Sequence, residues 1–140
     1  ELDDSWDGFQ WIEPNDNTAN TLIYIRKDKK GNHLIIAVNF SPIDRKSYCF
    51  GVPFAGTYQV IFNSDDEAFG GQGRGNHESI KSIKNPCHGF DDSIMVDLPP
   101  LSGVILRCTR KNPVKKKKVP AKRKTATKSV AKDRPGKKNA

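Results

Sequence analysis

Residues 21–40 read TLIYIRKDKKGNHLIIAVNF, and this stretch decides the fold. Two runs rich in β-branched side chains, Thr21 to Arg26 and His33 to Phe40, flank the polar hexapeptide KDKKGN with Gly31 near its end. That arrangement predicts a β-hairpin. Leu34 to Val38 is apolar at every position, which predicts a central strand covered on both faces.

Working outward, Phe9 to Ile12 is a short aromatic run. Ser47 to Val52 (SYCFGV) and Thr57 to Phe62 (TYQVIF) read as a second pair folded around Pro53 and Gly56. Ser79 to Ile83 alternates polar and apolar residues, as a half-exposed strand does. Ser93 to Leu98 and Gly103 to Cys108 close the series, separated by Pro99 and Pro100, which have no N–H to give to a sheet ladder. About eight short strands with turn signals every 8–12 residues are the pattern of an antiparallel sandwich or barrel, and a β-sandwich of Greek-key type is the expected fold. Sustained helical periodicity and internal repeats are both absent. The expected class is all-β.

Composition divides the chain in two. Residues 1–109 are expected to form the β domain and residues 110–140 a disordered Lys-rich tail. Residues 111–140 carry 11 Lys, 2 Arg and 1 Asp, a charge of +12, whereas residues 1–110 carry −4. The tail has no aromatic residue and no Leu, Ile or Met, so it buries too little apolar surface to offset the entropy of ordering it. Such a charge block binds polyanions, nucleic acid included, without sequence preference; a solubilising extension is the simpler reading. It lacks the interleaved aromatics that stack on bases.

The start is acidic (ELDDSW) and is not followed by the apolar run of a signal peptide. With Met95 as the lone methionine, Glu1 reads as a cut within a longer protein, a processed terminus being the other reading. Leu34 to Val38 is far short of the roughly 20 apolar residues that span a bilayer. Cys49, Cys87 and Cys108 form an odd set without CxxC spacing, which favours reduced thiols over a secreted disulfide framework. The expectation is a soluble, cytoplasmic protein without a membrane partner.

Several clusters invite a chemical reading. The loop NSDDEAFGGQGRGN, residues 63–76, offers Asp65, Asp66 and Glu67 as oxygen ligands, but without the alternating spacing and distal Glu of a calcium loop. A structured turn with left-handed glycines is the preferred reading. Gly71, Gly73 and Gly75 do not lead into a helix, as a phosphate cradle does. Cys87 and His88 are adjacent, which is not a zinc spacing. The carboxylate pairs Asp3/Asp4, Asp65/Asp66 and Asp91/Asp92 sit at loop positions, where solvation is the default. No catalytic residue, metal ligand or cofactor follows from these patterns. Trp6, Phe9 and Trp11 cluster near the start. Flat rings stack on sugars, but large aromatics in a first strand more commonly pack into a core or an interface between domains. Strand alternation places Phe9 and Trp11 on one face and Gln10 and Ile12 on the other. Phe9 and Trp11 are therefore the candidate interdomain contacts.

The motifs in this order resemble the C-terminal all-β domain of bacterial 1,4-α-glucan branching enzymes of the α-amylase superfamily. The resemblance rests on Gly8, Phe9, Trp11 and Ile12; on Asn39, Phe40, Ser41 and Pro42; and on Tyr48, Gly51, Val52, Pro53 and Gly56. It continues through Asn63, Ser64, Asp65, Asp66, Phe69, Gly70 and Gly71, then His88 and Gly89, and ends on Leu98, Pro99, Pro100, Leu101 and Ser102. It covers about residues 7–108. Tyr58 stands where the family commonly has Trp, Phe69 where it has Tyr and Phe90 where it has Arg, and the tail has no family equivalent. The resemblance implies a parent enzyme that moves α-1,4-glucan segments onto a 6-hydroxyl, making α-1,6 branches in glycogen biosynthesis. Its catalytic residues would lie on an N-terminal (β/α)₈ barrel, and this domain would cap that barrel without catalysing. A carbohydrate-binding sandwich from another amylase-superfamily enzyme is the alternative.

Overall fold

The computed structural model describes residues 2–111, with side chains to Thr109. Eight strands form two antiparallel layers. The larger sheet begins with the meander β1 (Phe9–Asp16), β2 (Thr21–Lys27) and β3 (His33–Asn39). It continues through β8 (Ser102–Lys111), β5 (Gly56–Asn63) and β6 (Ile80–Lys81), in the order β1-β2-β3-β8-β5-β6. The smaller layer pairs β4 (Arg45–Val52) with β7 (Asp92–Leu98). The chain changes layer from β3 to β4, from β4 to β5, from β6 to β7 and from β7 to β8, so the all-β sandwich is observed.

The hairpin at residues 21–40 forms without a register shift, from Thr21 opposite Asn39 to Lys27 opposite His33. Asp28 closes its turn, with Oδ1 accepting the N–H groups of Lys30 at 2.9 Å and Asn32 at 2.8 Å. Gly31 supplies the left-handed residue, φ +78°.

Between the layers, Ile23, Ile25, Ile35 and Leu106 of the larger sheet meet Phe50, Ile94 and Leu98 of the smaller one, all essentially inaccessible to solvent. Asn39 fastens the two layers. Its Nδ2 shares its protons among the carbonyls of Ile43 (2.9 Å), Leu98 (3.2 Å) and Pro99 (3.0 Å), and its Oδ1 accepts the Ser41 N–H at 2.9 Å. A buried amide is stable only when satisfied in this way.

The pairing of Ser47–Val52 with Thr57–Phe62 is not found. β4 pairs with β7 and β5 with β8, because Phe50 and Val52 form one wall of the core and Tyr58 belongs to the other. The turn around Pro53 carries the chain from layer to layer rather than back along one sheet. β3 is central, between β2 and β8, but among the described residues it is covered on one face only. Ile35 and Ala37 are buried, whereas Leu34 is exposed and Ile36 and Val38 are half-buried. β6 is shorter than the alternation of residues 79–83 predicts, with Ile83 reaching Ser93 by an isolated bridge. β8 continues to Lys111, two residues into the segment expected to be unstructured. The rest of that segment, 112–140, lies outside the described residues.

Candidate docking surface

The uncovered face of the larger sheet begins at β1. Ile12 turns into the core, 6% exposed, while Trp11 points the other way at 46%. The preceding single turn, Trp6–Gly8, sets Trp6 beside them at 84% exposure. Gly8 allows that turn to fold back, since a methyl group there would collide with Leu2. Phe9 is the hub: its ring meets Trp11 edge-on at 4.8 Å, stacks on Tyr24 at 5.3 Å and meets Trp6 edge-on at 6.1 Å between centroids. These are favourable aromatic geometries.

The register extends the patch across the sheet. Trp11 lies opposite Tyr24, Tyr24 opposite Ile36, Ile36 opposite Ile105, and Ile105 opposite Phe62. Five strands thus contribute one apolar row on the uncovered face. A β-bulge makes the last member possible. Strict alternation from Tyr58 would turn Phe62 toward the core, but the register slips between Val60 and Phe62 and brings Phe62 outward, 39% exposed. Phe69 packs on it at 5.3 Å.

Phe69 is held there by the 63–75 loop. Arg74 donates to Asp65 from Nε (3.0 Å), Nη2 (3.0 Å) and its backbone N–H (3.1 Å), and these bonds hold the Asp65 carboxyl down at about 2. Asp65 is therefore committed to Arg74. Gly71 sits against the Asp65 backbone with no room for a side chain, and Gly70, Gly73 and Gly75 take left-handed conformations.

Charged groups rim the β1 end. Arg26 pairs with Asp3, and both line a cleft of about 370 Å³ with Asp4, Trp6, Phe9 and Trp11. At the other end of β1, Thr21 Oγ1 donates to Tyr48 Oη at 2.9 Å, and Tyr48 donates to Asp16. Burial and the Asp16 carboxylate push the Tyr48 hydroxyl up to about 12, while the Tyr48 and Ala19 hydrogen bonds lower Asp16. This network pins β1 to β4 and fixes the orientation of the aromatic face.

The structure brings Phe9 and Trp11 together, as the alternation of β1 predicts. Tyr24 and Phe62 carry no site reading in the sequence, and Phe69 enters there only as a position in the family's loop. Tyr24 was legible from its place in TLIYIR opposite the buried Ile23 and Ile25; Phe62 was not, because a bulge leaves no mark in the alternation. Among the described residues, no cluster of three or more His, Cys, Asp or Glu side chains is placed to hold a metal ion. No helix among them is long and apolar enough to cross a membrane.

Residues 11–109 match the family described as the alpha amylase C-terminal all-beta domain. The chain is 37% identical over 107 residues to a 1,4-alpha-glucan branching enzyme of Methylobacillus flagellatus, covering 76% of this chain and 15% of that protein. It is 40% identical over 106 residues to the enzyme of that name from Nitrosomonas eutropha, covering 76% of this chain and 14% of that one. Against the one from Rhodopirellula baltica it is 41% identical over 102 residues, with 72% and 14% covered. The chain thus spans about one-seventh of the length of these relatives.

Proposed function

Because the chain belongs to the α-amylase C-terminal all-β domain family, in the form found in 1,4-α-glucan branching enzymes, we propose that it is the non-catalytic domain of such an enzyme and caps its catalytic barrel. The parent would cleave an α-1,4 linkage and transfer the glucan segment to a 6-hydroxyl, in the cytoplasm, using residues outside this chain.

One observation carries the docking role: the apolar row from Trp11 to Phe62 lies on the uncovered face of a sheet whose other face is the core. A sheet buried on one side and solvated on the other ordinarily carries polar residues outward. Apolar residues across five strands call for a partner. The short share of each relative that this chain spans supplies the candidate, the remainder of the same polypeptide. Phe9 and Trp11 are the interdomain contacts in this reading, joined by Tyr24, Ile36, Ile105 and Phe62.

Hydroxyl-radical footprinting tests the assignment. Trp11 and Phe62 should be oxidised readily in the 140-residue chain and protected in the full-length enzyme. Equal oxidation in both forms would defeat it. Incubated with amylose, the 140-residue chain alone should make no α-1,6 branches, scored as new chain ends released by a debranching enzyme. Branches made by the isolated chain would overturn the non-catalytic assignment.

A further inference from the structure

On the outer face of the smaller layer, away from the apolar row, residues 85–90 bring Cys87 over β4 near Cys49. β4 turns Phe50 and Val52 into the core, so Cys49 and Gly51 lie on its other side. Residues 85–90 cross over them. The Cys87 carbonyl rests on Gly51 so closely that a methyl group there would collide with it, and Asn85 Nδ2 reaches Cys49 Sγ at 3.8 Å.

Cys87 is held in place by a tight turn. Its N–H donates to the Phe90 carbonyl at 3.0 Å and the Phe90 N–H donates to its carbonyl at 2.9 Å. The two central residues, His88 (φ +49°) and Gly89 (φ +80°), are both left-handed, as a type I′ turn requires. A residue other than glycine is uncommon there, and the His88 ring has a use. The Gly51 N–H donates to His88 Nδ1 at 3.3 Å, so Nδ1 carries a lone pair and the ring proton sits on Nε2, 3.2 Å from Glu13 Oε2. Cys87 Sγ stands 3.4 Å from that same Nδ1. A thiol beside an unprotonated imidazole nitrogen has a proton acceptor within reach.

We propose that Cys49 and Cys87 form a dithiol site that exchanges with small disulfides of the glutathione type and closes to an intramolecular disulfide tying residues 85–90 to β4. Cys87 gives its proton to His88 Nδ1, taking the place of the Gly51 N–H there, and its sulfur attacks one sulfur of glutathione disulfide. The S–S bond of glutathione disulfide breaks, leaving a Cys87–glutathione mixed disulfide and one glutathione thiolate. The Cys49 thiolate then attacks the Cys87 sulfur, and the second glutathione leaves. Two protein thiols are oxidised, one glutathione disulfide is reduced to two thiols, and the two protein protons end on the released glutathiones.

Other features agree. Cys49 and Cys87 are both half-buried, open to a small reagent. Burial and the nearby Cys49 thiol push the Cys87 thiol up. A thiolate that burial disfavours gains by becoming a neutral disulfide, so the closed form should resist reduction. Cys108, on β8 of the other layer, has no part in the cluster.

The three cysteines fall in separate tryptic peptides, 47–74, 85–107 and 108–110. The 140-residue chain is equilibrated with reduced and oxidised glutathione, remaining thiols are blocked with iodoacetamide, and the digest is read by mass. A linked 47–74/85–107 pair, with Cys108 alkylated, is the expected result. Alkylation of all three cysteines, mixed glutathione disulfides that go no further, or a bond to Cys108 would each overturn the proposal. Cys49→Ser should stop the reaction at a glutathione adduct on peptide 85–107, and its absence would overturn the order of steps. His88→Asn keeps a residue that tolerates the left-handed turn. It should slow alkylation of Cys87 roughly tenfold at neutral pH while leaving Cys49 unchanged; an unchanged Cys87 rate would remove His88 from the mechanism.

Discussion

Arg74 grips Asp65 with both prongs of its guanidinium, Nε to Oδ2 and Nη2 to Oδ1, each at 3.0 Å across the neck of the 63–75 loop. The pair presents Phe69 beside Phe62, so a charge interaction at the loop's base governs an apolar surface at its tip. The Asp65 carboxyl lies lower in the folded protein, at about 2, than its ordinary value of 3.8. A depressed carboxyl stabilises the fold above the ordinary value and loses that contribution as the pH falls through the folded one. Loop protection, read by amide hydrogen exchange of Gly71 and Gly73, should therefore be full at pH 5 and fade between about 4 and about 2. In Asp65→Asn the protection should be weak at every pH. A loop whose exchange ignores both changes would mean that the ion pair does not hold it.

Asn39 supplies a different kind of fastening, since its amide satisfies carbonyls on both sides of a layer crossing. Asn39→Ala strands those acceptors in a buried site and should cost about 2–4 kcal/mol in urea unfolding. A cost below about 0.5 kcal/mol would show that water replaces the amide freely.

The two sides of β1 and its neighbours should respond unequally to truncation. Phe50→Ala removes a fully buried ring and should cost about 3–5 kcal/mol in the isolated chain. Trp11→Ala removes only ring contacts on an open face and should cost about 1 kcal/mol there. In the full-length enzyme the Trp11→Ala cost should rise if the ring docks as proposed. Equal costs in the isolated chain and the full-length enzyme would count against docking.

The charge division makes a separate prediction about residues 112–140. The whole chain should be retained on DNA-cellulose at low salt and released as salt rises, while residues 1–111 should pass through. Retention of the truncated form to the same degree would place the polyanion surface on the β domain instead.

What was legible in the sequence divides along physical lines. The 21–40 hairpin follows from local alternation and one turn, and it forms as read, to within a residue at each end. The Phe9/Trp11 face follows from period-two geometry. The partner of β4 does not, because nothing local distinguishes a hairpin around Pro53 from a crossing between layers. Only the need for Phe50 and Tyr58 to face each other across a core settles it. Leu34 to Val38 shows a subtler effect. Its continuous apolar character is that of a strand covered twice, and the described residues cover it once. The sequence pattern there calls for a second covering of the kind the proposed docking would supply.

β8 is the last strand in the sequence and lies between β3 and β5. During synthesis, β1 to β3 can pair as soon as they emerge, while β5 has no place in the larger sheet until Ser102–Lys111 has been made. The sheet is finished from its middle, by pairing residues more than sixty positions apart, the kind of long-range closure that slows folding. A chain cut or stalled before residue 102 would present two bare strand edges, along β3 and along β5, where the native protein has none. Bare edges pair with other chains. The same placement that makes the finished sheet continuous thus makes each incomplete chain a nucleus for aggregation.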